Sequence, residues 1–164
     1  VSRVTDRSGL VEAVDRALAH DETLVFEEAV VGRELEIGVL GNESPHCSVP
    51  GEVVPAAEFY DYDDKYRDGA AQLLVPAPLE PGEGAAFEAV ALAAYRALRC
   101  EGLARVDVFL EAERGILVNE VNTFPGFTPI SMFPRMWSAT GLAYPELIDE
   151  MVRLALDRHA RRRR

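Results

Sequence analysis

"LARVDVFLEAERGILVNEVN", residues 103–122, is the stretch from which the rest of the chain is best read. Two strand-like runs flank the turn-forming "AERG", which predicts an antiparallel hairpin. Centred on Glu113 and Arg114, the hairpin opposes Phe109 to Val118, Asp107 to Glu120 and Arg105 to Asn122. Side chains alternate along a strand, so these six share one face. The other face carries Val106, Val108, Leu110, Leu117 and Val121, with Asn119 the exception. A slip of one residue would turn that apolar face to water, so the register is well specified.

The polar face is harder to explain. Asp107 opposite Glu120 sets like charges side by side, which destabilises a strand pair unless something compensates. A shared proton would do so. Arg105 would do so as well. So would a divalent cation, for which hard carboxylate and amide oxygens are the proper ligands. Asn122 adds one more oxygen to the same face. On the hairpin alone, a structural arginine–carboxylate network and a metal site stand equal.

Outward from the hairpin, Asp6 or Ser8 caps a helix running to about residue 20, with Leu10, Val11, Val14, Ala17 and Leu18 on one face. "TLVFEE" (residues 23–28) reads as a buried strand, and the short "AVVG" after it suggests an antiparallel neighbour. "RELEIGVLG" (residues 33–41) alternates Leu35, Ile37 and Val39 against Glu34, Glu36 and Gly38, a half-buried strand. "HCSV", "GEVVP" and "QLLVPAP" are further short strands. Residues 56–71 are polar and aromatic without a period, and so long an irregular stretch is usually functional or disordered. Residues 81–102 form the strongest helix, with Phe87, Val90, Ala91, Ala94 and Leu98 on one face and Gly102 as the stop. After the hairpin come the loop "TFPGFTP", a short helix through "SMFPRMWSAT" and an amphipathic helix "YPELIDEMVRLALDRHA". Hairpin strands mixed with single helices indicate an α+β fold with a largely antiparallel sheet.

Composition sets limits. The chain has 164 residues, 48% hydrophobic and 27% charged, which suits one water-soluble domain. A net charge of -11 argues against a general nucleic-acid binder. No apolar run is long enough to span a bilayer, and no signal peptide is visible, so a cytoplasmic protein with no membrane partner is expected. Cys47 and Cys100 lack metal spacing and read as free, buried thiols. The basic tail "RHARRRR" reads as a frayed, solvated end. There is a single lysine among 17 basic residues, Lys65, and it sits in "FYDYDDKY" (residues 59–66).

"RVDVFL" followed by "NEVNTFPGFTPIS" resembles the C-terminal signature of D-alanine–D-alanine ligases, members of the ATP-grasp superfamily. The likeness is close across "NEVNTFPGFTPISMFPRMW". "LVFEEAVVGRELEIGVLGN" is similar to the family's adenine-binding strand and hinge, and "FYDYDDKY" to its active-site loop. The four stretches fall in the family's order and cover most of residues 23–140. The resemblance implies the C-terminal portion of an ATP-grasp fold. It also implies a reaction in which ATP phosphorylates one D-alanine and the amine of a second attacks the acyl phosphate. The product would be a dipeptide for peptidoglycan precursors.

Roles follow by position. The resemblance implies that Asp107 and Glu120 hold one Mg²⁺, and Glu120 and Asn122 a second, with Mn²⁺ an acceptable substitute. Arg105 would stabilise the transferring phosphoryl group or the tetrahedral oxyanion. The Gly126 backbone N–H would approach the same oxyanion. Ser131 would hold the second D-alanine's carboxylate, or simply cap the next helix, and Tyr66 would help define that subsite. Glu27 and the Val30 backbone would meet the adenine, Glu34 the ribose, and Phe59 and Phe109 would sandwich the purine. Lys65 would reach the γ-phosphate from a loop that closes over the nucleotide.

Two positions depart from the pattern: Glu28 stands where some relatives carry a basic residue, and Ile130 lies in a variable part of the second subsite. The family's N-terminal substrate domain and most of its central lobe have no counterpart here, so the chain reads as part of a longer enzyme, expected to be a homodimer. A D-lactate- or D-serine-using sibling and a non-catalytic ATP-binding or structural module are the competing readings. The Lys65–Tyr66 pair favours D-alanine, because D-lactate-selective relatives often carry a histidine in this loop. In the longer protein, Lys65→Ala should lower turnover far more than it lowers the urea midpoint of unfolding. Unchanged turnover in steady-state assays would return this lysine to the status of accident.

Overall fold

A computed structural model describes residues 1–55 and 71–163. The elements in chain order are α1 (Arg7–Leu18), β1 (Arg33–Gly41), β2 (His46–Cys47), β3 (Gly51–Pro55), β4 (Ala71–Leu74), α2 (Glu83–Ala97), β5 (Gly102–Glu111), β6 (Gly115–Asn122), α3 (Met132–Thr140) and α4 (Tyr144–Arg162). The strands form one sheet in the order β4-β3-β1-β5-β6, with β2 also paired to β1. Every described pairing is antiparallel. The α+β expectation therefore holds. Among the described residues, no helix is long and apolar enough to cross a membrane.

The period-2 pattern of β1 and β5 sorts their side chains between two cores. Leu35, Ile37, Val39, Ala104, Val106 and Val108 point to one face and pack with Phe87, Ala91 and Tyr95 of α2. Leu40 sits in a second cluster with Phe133 and Trp137 of α3 and Leu147 and Leu154 of α4. A half-buried Arg33–Glu52 pair, bidentate at 2.8 and 2.7 Å, ties β1 to β3, and Arg33 also donates to the Pro78 carbonyl.

Glycines let α3 sit close to the sheet. A Cβ on Gly38 would lie 2.6 Å from Trp137 Nε1 and 3.0 Å from Ser48 Oγ. On Gly51 it would lie 2.6 Å from Met132 Sδ. The α3 helix thus covers β1 up to Gly38, and Glu36, one step further along that face, is where the polar residues begin.

Several expectations need correction. Residues 23–28 form no strand, and Val25 and Phe26 are 79% and 69% exposed. A strand needs a hydrogen-bonding neighbour, and no described strand pairs with this segment. Helix α1 is capped by Asp6, which accepts from the Gly9 N–H at 2.9 Å. Its intended apolar face is not packed: only Ala13 is buried, while Leu10, Val11 and Leu18 are exposed.

Helix α2 ends at Ala97, five residues before Gly102. Arg99 takes the left-handed conformation (φ 53°), and the Cys100 and Arg99 N–H groups bond back to Tyr95 and Arg96. That is a Schellman closure with an arginine where glycine is usual. It leaves Leu98 exposed, and Tyr95 takes the core position expected of it. The basic tail is not frayed through residue 162: Arg158 and Arg161 pair with Glu101 at 2.7 and 2.5 Å. Cys47 and Cys100 are free and half-buried, and burial pushes the Cys47 thiol up to about 12.

Gly38→Ala should cost about 2 kcal/mol, because the new methyl meets a packed indole. Gly51→Ala should cost less, because a methionine side chain gives way more easily. Urea unfolding of both variants measures the difference; equal costs would contradict this account of α3 packing.

Candidate active site

The hairpin places the polar residues on the face of the sheet turned away from α2. Arg105 pairs with Asn122 and Asp107 with Glu120 across β5 and β6, as the sequence indicates. Nearer the turn the register shifts: Val108 pairs with Val118, Phe109 with Leu117, and Glu111 with Gly115. The expected Phe109–Val118 pair is therefore wrong, and Leu117 lies opposite Phe109 rather than on the core face. A β-bulge makes up the difference. Asn119, the one polar residue in the apolar pattern, is skipped by the pairing. Val106 still meets Val121, and Ile116 takes the core place expected of Leu117.

On its other side β5 pairs with β1: Glu34 opposes Phe109, Glu36 opposes Asp107, and Gly38 opposes Arg105. Three strands thus bring acidic side chains to one patch, Glu36 from β1, Asp107 from β5 and Glu120 from β6. Arg105 lies among them. Its Nε donates to Asp107 Oδ1 and its Nη2 to Asp107 Oδ2, both at 2.7 Å. The Nε atom is also 3.2 Å from Glu36 Oε2. The side chains of Arg105, Asp107 and Glu36 are only 14%, 14% and 12% exposed, so little water screens the charges. Burial alone would make Arg105 easier to deprotonate. The Asp107 hydrogen bond and the charges of Glu36, Asp107 and Glu120 outweigh that and hold it firmly cationic.

The donor set suits a hard divalent cation. Asp107, Glu120 and Asn122 present oxygens from neighbouring strands, the ligand type that Mg²⁺ takes alongside phosphate and water. The Asn122 Oδ1 accepts from the Phe124 N–H at 3.0 Å, which orients the amide and leaves a second lone pair. Both Asp107 oxygens are engaged by Arg105, so a cation there would compete with the guanidinium. Among the described residues, no group of three or more His, Cys, Asp or Glu side chains could by itself hold a metal. An amide or a bound phosphate would have to complete the set.

Two more of the expected residues share the face of this patch. Glu34 and Phe109, a cross-strand pair, continue its face toward the turn. Glu27 is exposed and Val30 half-buried in the irregular segment before β1. That segment is anchored at the hairpin turn. Glu28 pairs with Arg114 at 3.0 Å, and a Cβ on Gly32 would fall 2.6 Å from the Leu110 carbonyl oxygen. Glu28 is thus held by an arginine of the turn.

Beyond β6, Gly126 and Ser131 lie together, since a Cβ on Gly126 would be 3.2 Å from Ser131 Oγ. Ser131 stands at the N-cap of α3 but makes no side-chain capping bond. Its Oγ accepts from the Thr128 N–H at 3.0 Å and lies 2.8 Å from Thr128 Oγ1. Phe59, Lys65 and Tyr66 lie outside the described residues. Glu36 is the residue missing from the sequence reading. Its parity with Glu34 was visible, but its place beside Asp107 depends on the non-local β1–β5 pairing.

A sequence profile described as "D-ala D-ala ligase C-terminus" matches residues 1–153. The chain is 49% identical over 159 residues to a D-alanine–D-alanine ligase of Bacillus cytotoxicus, covering 97% of this chain and 44% of that protein. It thus spans less than half the length of that curated relative. Among solved structures it is similar to the D-alanine–D-alanine ligase of Coxiella burnetii (TM-score 0.87, 36% identity, 99% of this chain and 42% of the other). It is also similar to the VanG D-Ala:D-Ser ligase of Enterococcus faecalis (TM-score 0.83, 31% identity, 93% and 45%).

Arg105→Leu would leave Glu36, Asp107 and Glu120 together without their cation. Breaking a buried pair in this way should cost about 3 kcal/mol at neutral pH. The deficit should shrink as pH falls, because protonating one carboxylate relieves the repulsion in the variant. Urea unfolding between acid and neutral pH measures this; a deficit independent of pH would contradict the electrostatic account.

Proposed function

Since the chain belongs to the family of D-alanine–D-alanine ligase C-terminal regions, we propose that it is the C-terminal ATP-grasp portion of an ATP-dependent ligase joining two D-alanines. The observation that carries the proposal is the patch of Arg105, Asp107, Glu120 and Asn122 on one open sheet face. The carboxylates and the amide would hold Mg²⁺, as two ions in this reading, and Mn²⁺ would serve in its place. Positive charge held there would offset the negative charge that builds on the phosphates during transfer.

The chain's own residues do the rest. Glu34 and Phe109, on the same face, receive the ribose and one side of the purine, with Phe59 on the other side. Glu27 and the Val30 backbone meet the adenine edge. Lys65 closes on the γ-phosphate. The carboxylate of the first D-alanine takes the γ-phosphoryl group and ADP departs. The amine of the second D-alanine attacks the acyl carbon, loses a proton and expels phosphate, leaving the peptide bond. Arg105 and the Gly126 N–H stabilise the oxyanion formed in that step, Ser131 donates to the second substrate's carboxylate, and Tyr66 closes the subsite.

The D-alanine domain and the remainder of the nucleotide lobe belong, in this reading, to the rest of a longer cytoplasmic protein that acts as a homodimer. It handles small molecules rather than nucleic acid or membrane. The likeness to a D-Ala:D-Ser ligase keeps D-serine as the second reading for the acceptor.

The experiment is ATP-dependent phosphate release by the longer protein with D-alanine alone, and with D-alanine plus D-serine or D-lactate. Release with D-alanine alone, with D-alanyl-D-alanine as product, supports the ligase. Release only when D-serine or D-lactate is added would sink the dipeptide reading. Glu120→Gln should abolish turnover, and full activity in that variant would exclude its metal role. The isolated 164-residue chain should show little or no synthesis.

A further inference from the structure

We propose that Glu36 is the positioning residue for Arg105, keeping the guanidinium in place when Asp107 turns to a divalent cation. This rests on the reading of Asp107 as a metal ligand and of Arg105 as the cation serving the reaction.

The Arg105 Nε–H stands between two acids. It donates to Asp107 at 2.7 Å and lies 3.2 Å from Glu36 Oε2, so one donor faces two carboxylates. Asp107 carries most of the hold, because it also takes Nη2 at 2.7 Å. A divalent cation on Asp107 would draw on the same oxygens and repel the guanidinium. Arg105 would then lose its main anchor at the step where its position matters.

Glu36 is placed to prevent this. It lies on β1, opposite Asp107 in the ladder, whereas Glu120 and Asn122 lie on β6 across β5. Its grip on Arg105 is thus on the side away from the cation. Its side chain is 12% exposed, so water only weakly screens its attraction for the guanidinium, and 3.2 Å is close enough for that ion pair to tighten.

The test uses the longer protein with Glu36→Ala, Glu36→Gln and Arg105→Lys. Glu36→Ala should lower kcat about tenfold with little change in ATP affinity, and Glu36→Gln should recover most of the loss through its amide oxygen. A second readout is independent of turnover. In protein carrying ¹⁵N-arginine, the Arg105 Nε–H signal is assigned by its loss in Arg105→Lys. In the wild type it should stay protected from solvent exchange when Mg²⁺ is added. In Glu36→Ala it should be protected without Mg²⁺ and lose protection with it.

A Glu36→Ala signal that stays protected with Mg²⁺, or that is unprotected even without it, would overturn the inference. Should Glu36→Ala not fold, Glu36→Gln carries the test: exchange in Mg²⁺ should quicken about threefold, as a neutral acceptor holds the donor less well, and no change would overturn it. Full turnover in Arg105→Lys would refute the role given to Arg105 itself. Impaired Arg105→Lys beside normal Glu36→Ala would refute only the positioning role.

Discussion

A guanidinium held among carboxylates from three adjacent strands is the constraint on which the rest of this structure depends. Asp107 and Glu120 face each other across β5 and β6, and Glu36 faces Asp107 across β1 and β5. Such a cluster of like charges, half-buried at Glu36 and Asp107 and exposed at Glu120, is unfavourable without a cation. Arg105 supplies one, at the expense of desolvating both partners, so the network adds little to stability as a whole. Carboxylates gathered in this way have the chemistry to bind a cation.

The fold serves that face by covering everything around it. Helix α2 closes one side of the sheet over Phe87, Ala91 and Tyr95. On the other side α3 and α4 bury Leu40, and the approach of Trp137 to Gly38 marks where their cover gives out. The next residues along β1 and β5 on that face are the polar ones. Chain connectivity then adds the Gly126–Ser131 loop at one margin and the segment before β1 at the other. The site follows from where the apolar cover stops, and the strand register decides which side chains are left there.

Much of this was legible in the sequence because it depends on local periodicity. The alternation in residues 33–41 and 103–122 fixed the strand faces, and Arg105, Asp107, Glu120 and Asn122 were aligned correctly. That alignment held although the turn half of the hairpin was misread. The bulge at Asn119 restores the pairing just before Glu120, and an asparagine inside an apolar pattern was the signal for it. What local pattern could not supply was partnership. The segment at residues 23–28 has the composition of a strand but no described strand pairs with it. The apolar stripe of α1 lacks a described surface to cover it. Glu36 looked like any solvated strand glutamate until β1 was placed beside β5. Lys65, the lone lysine, owes its assignment to resemblance and lies outside the described residues.

In the proposed function the Asp107–Glu120–Asn122 face holds the metal that serves the reaction. The most direct measurement is electron paramagnetic resonance of Mn²⁺ bound to the longer protein in the presence of a non-hydrolysable ATP analogue. The account predicts tight binding in the wild type and an affinity lower by about tenfold or more when Asp107→Asn and Glu120→Gln are combined. Unchanged binding in a folded double variant would contradict it.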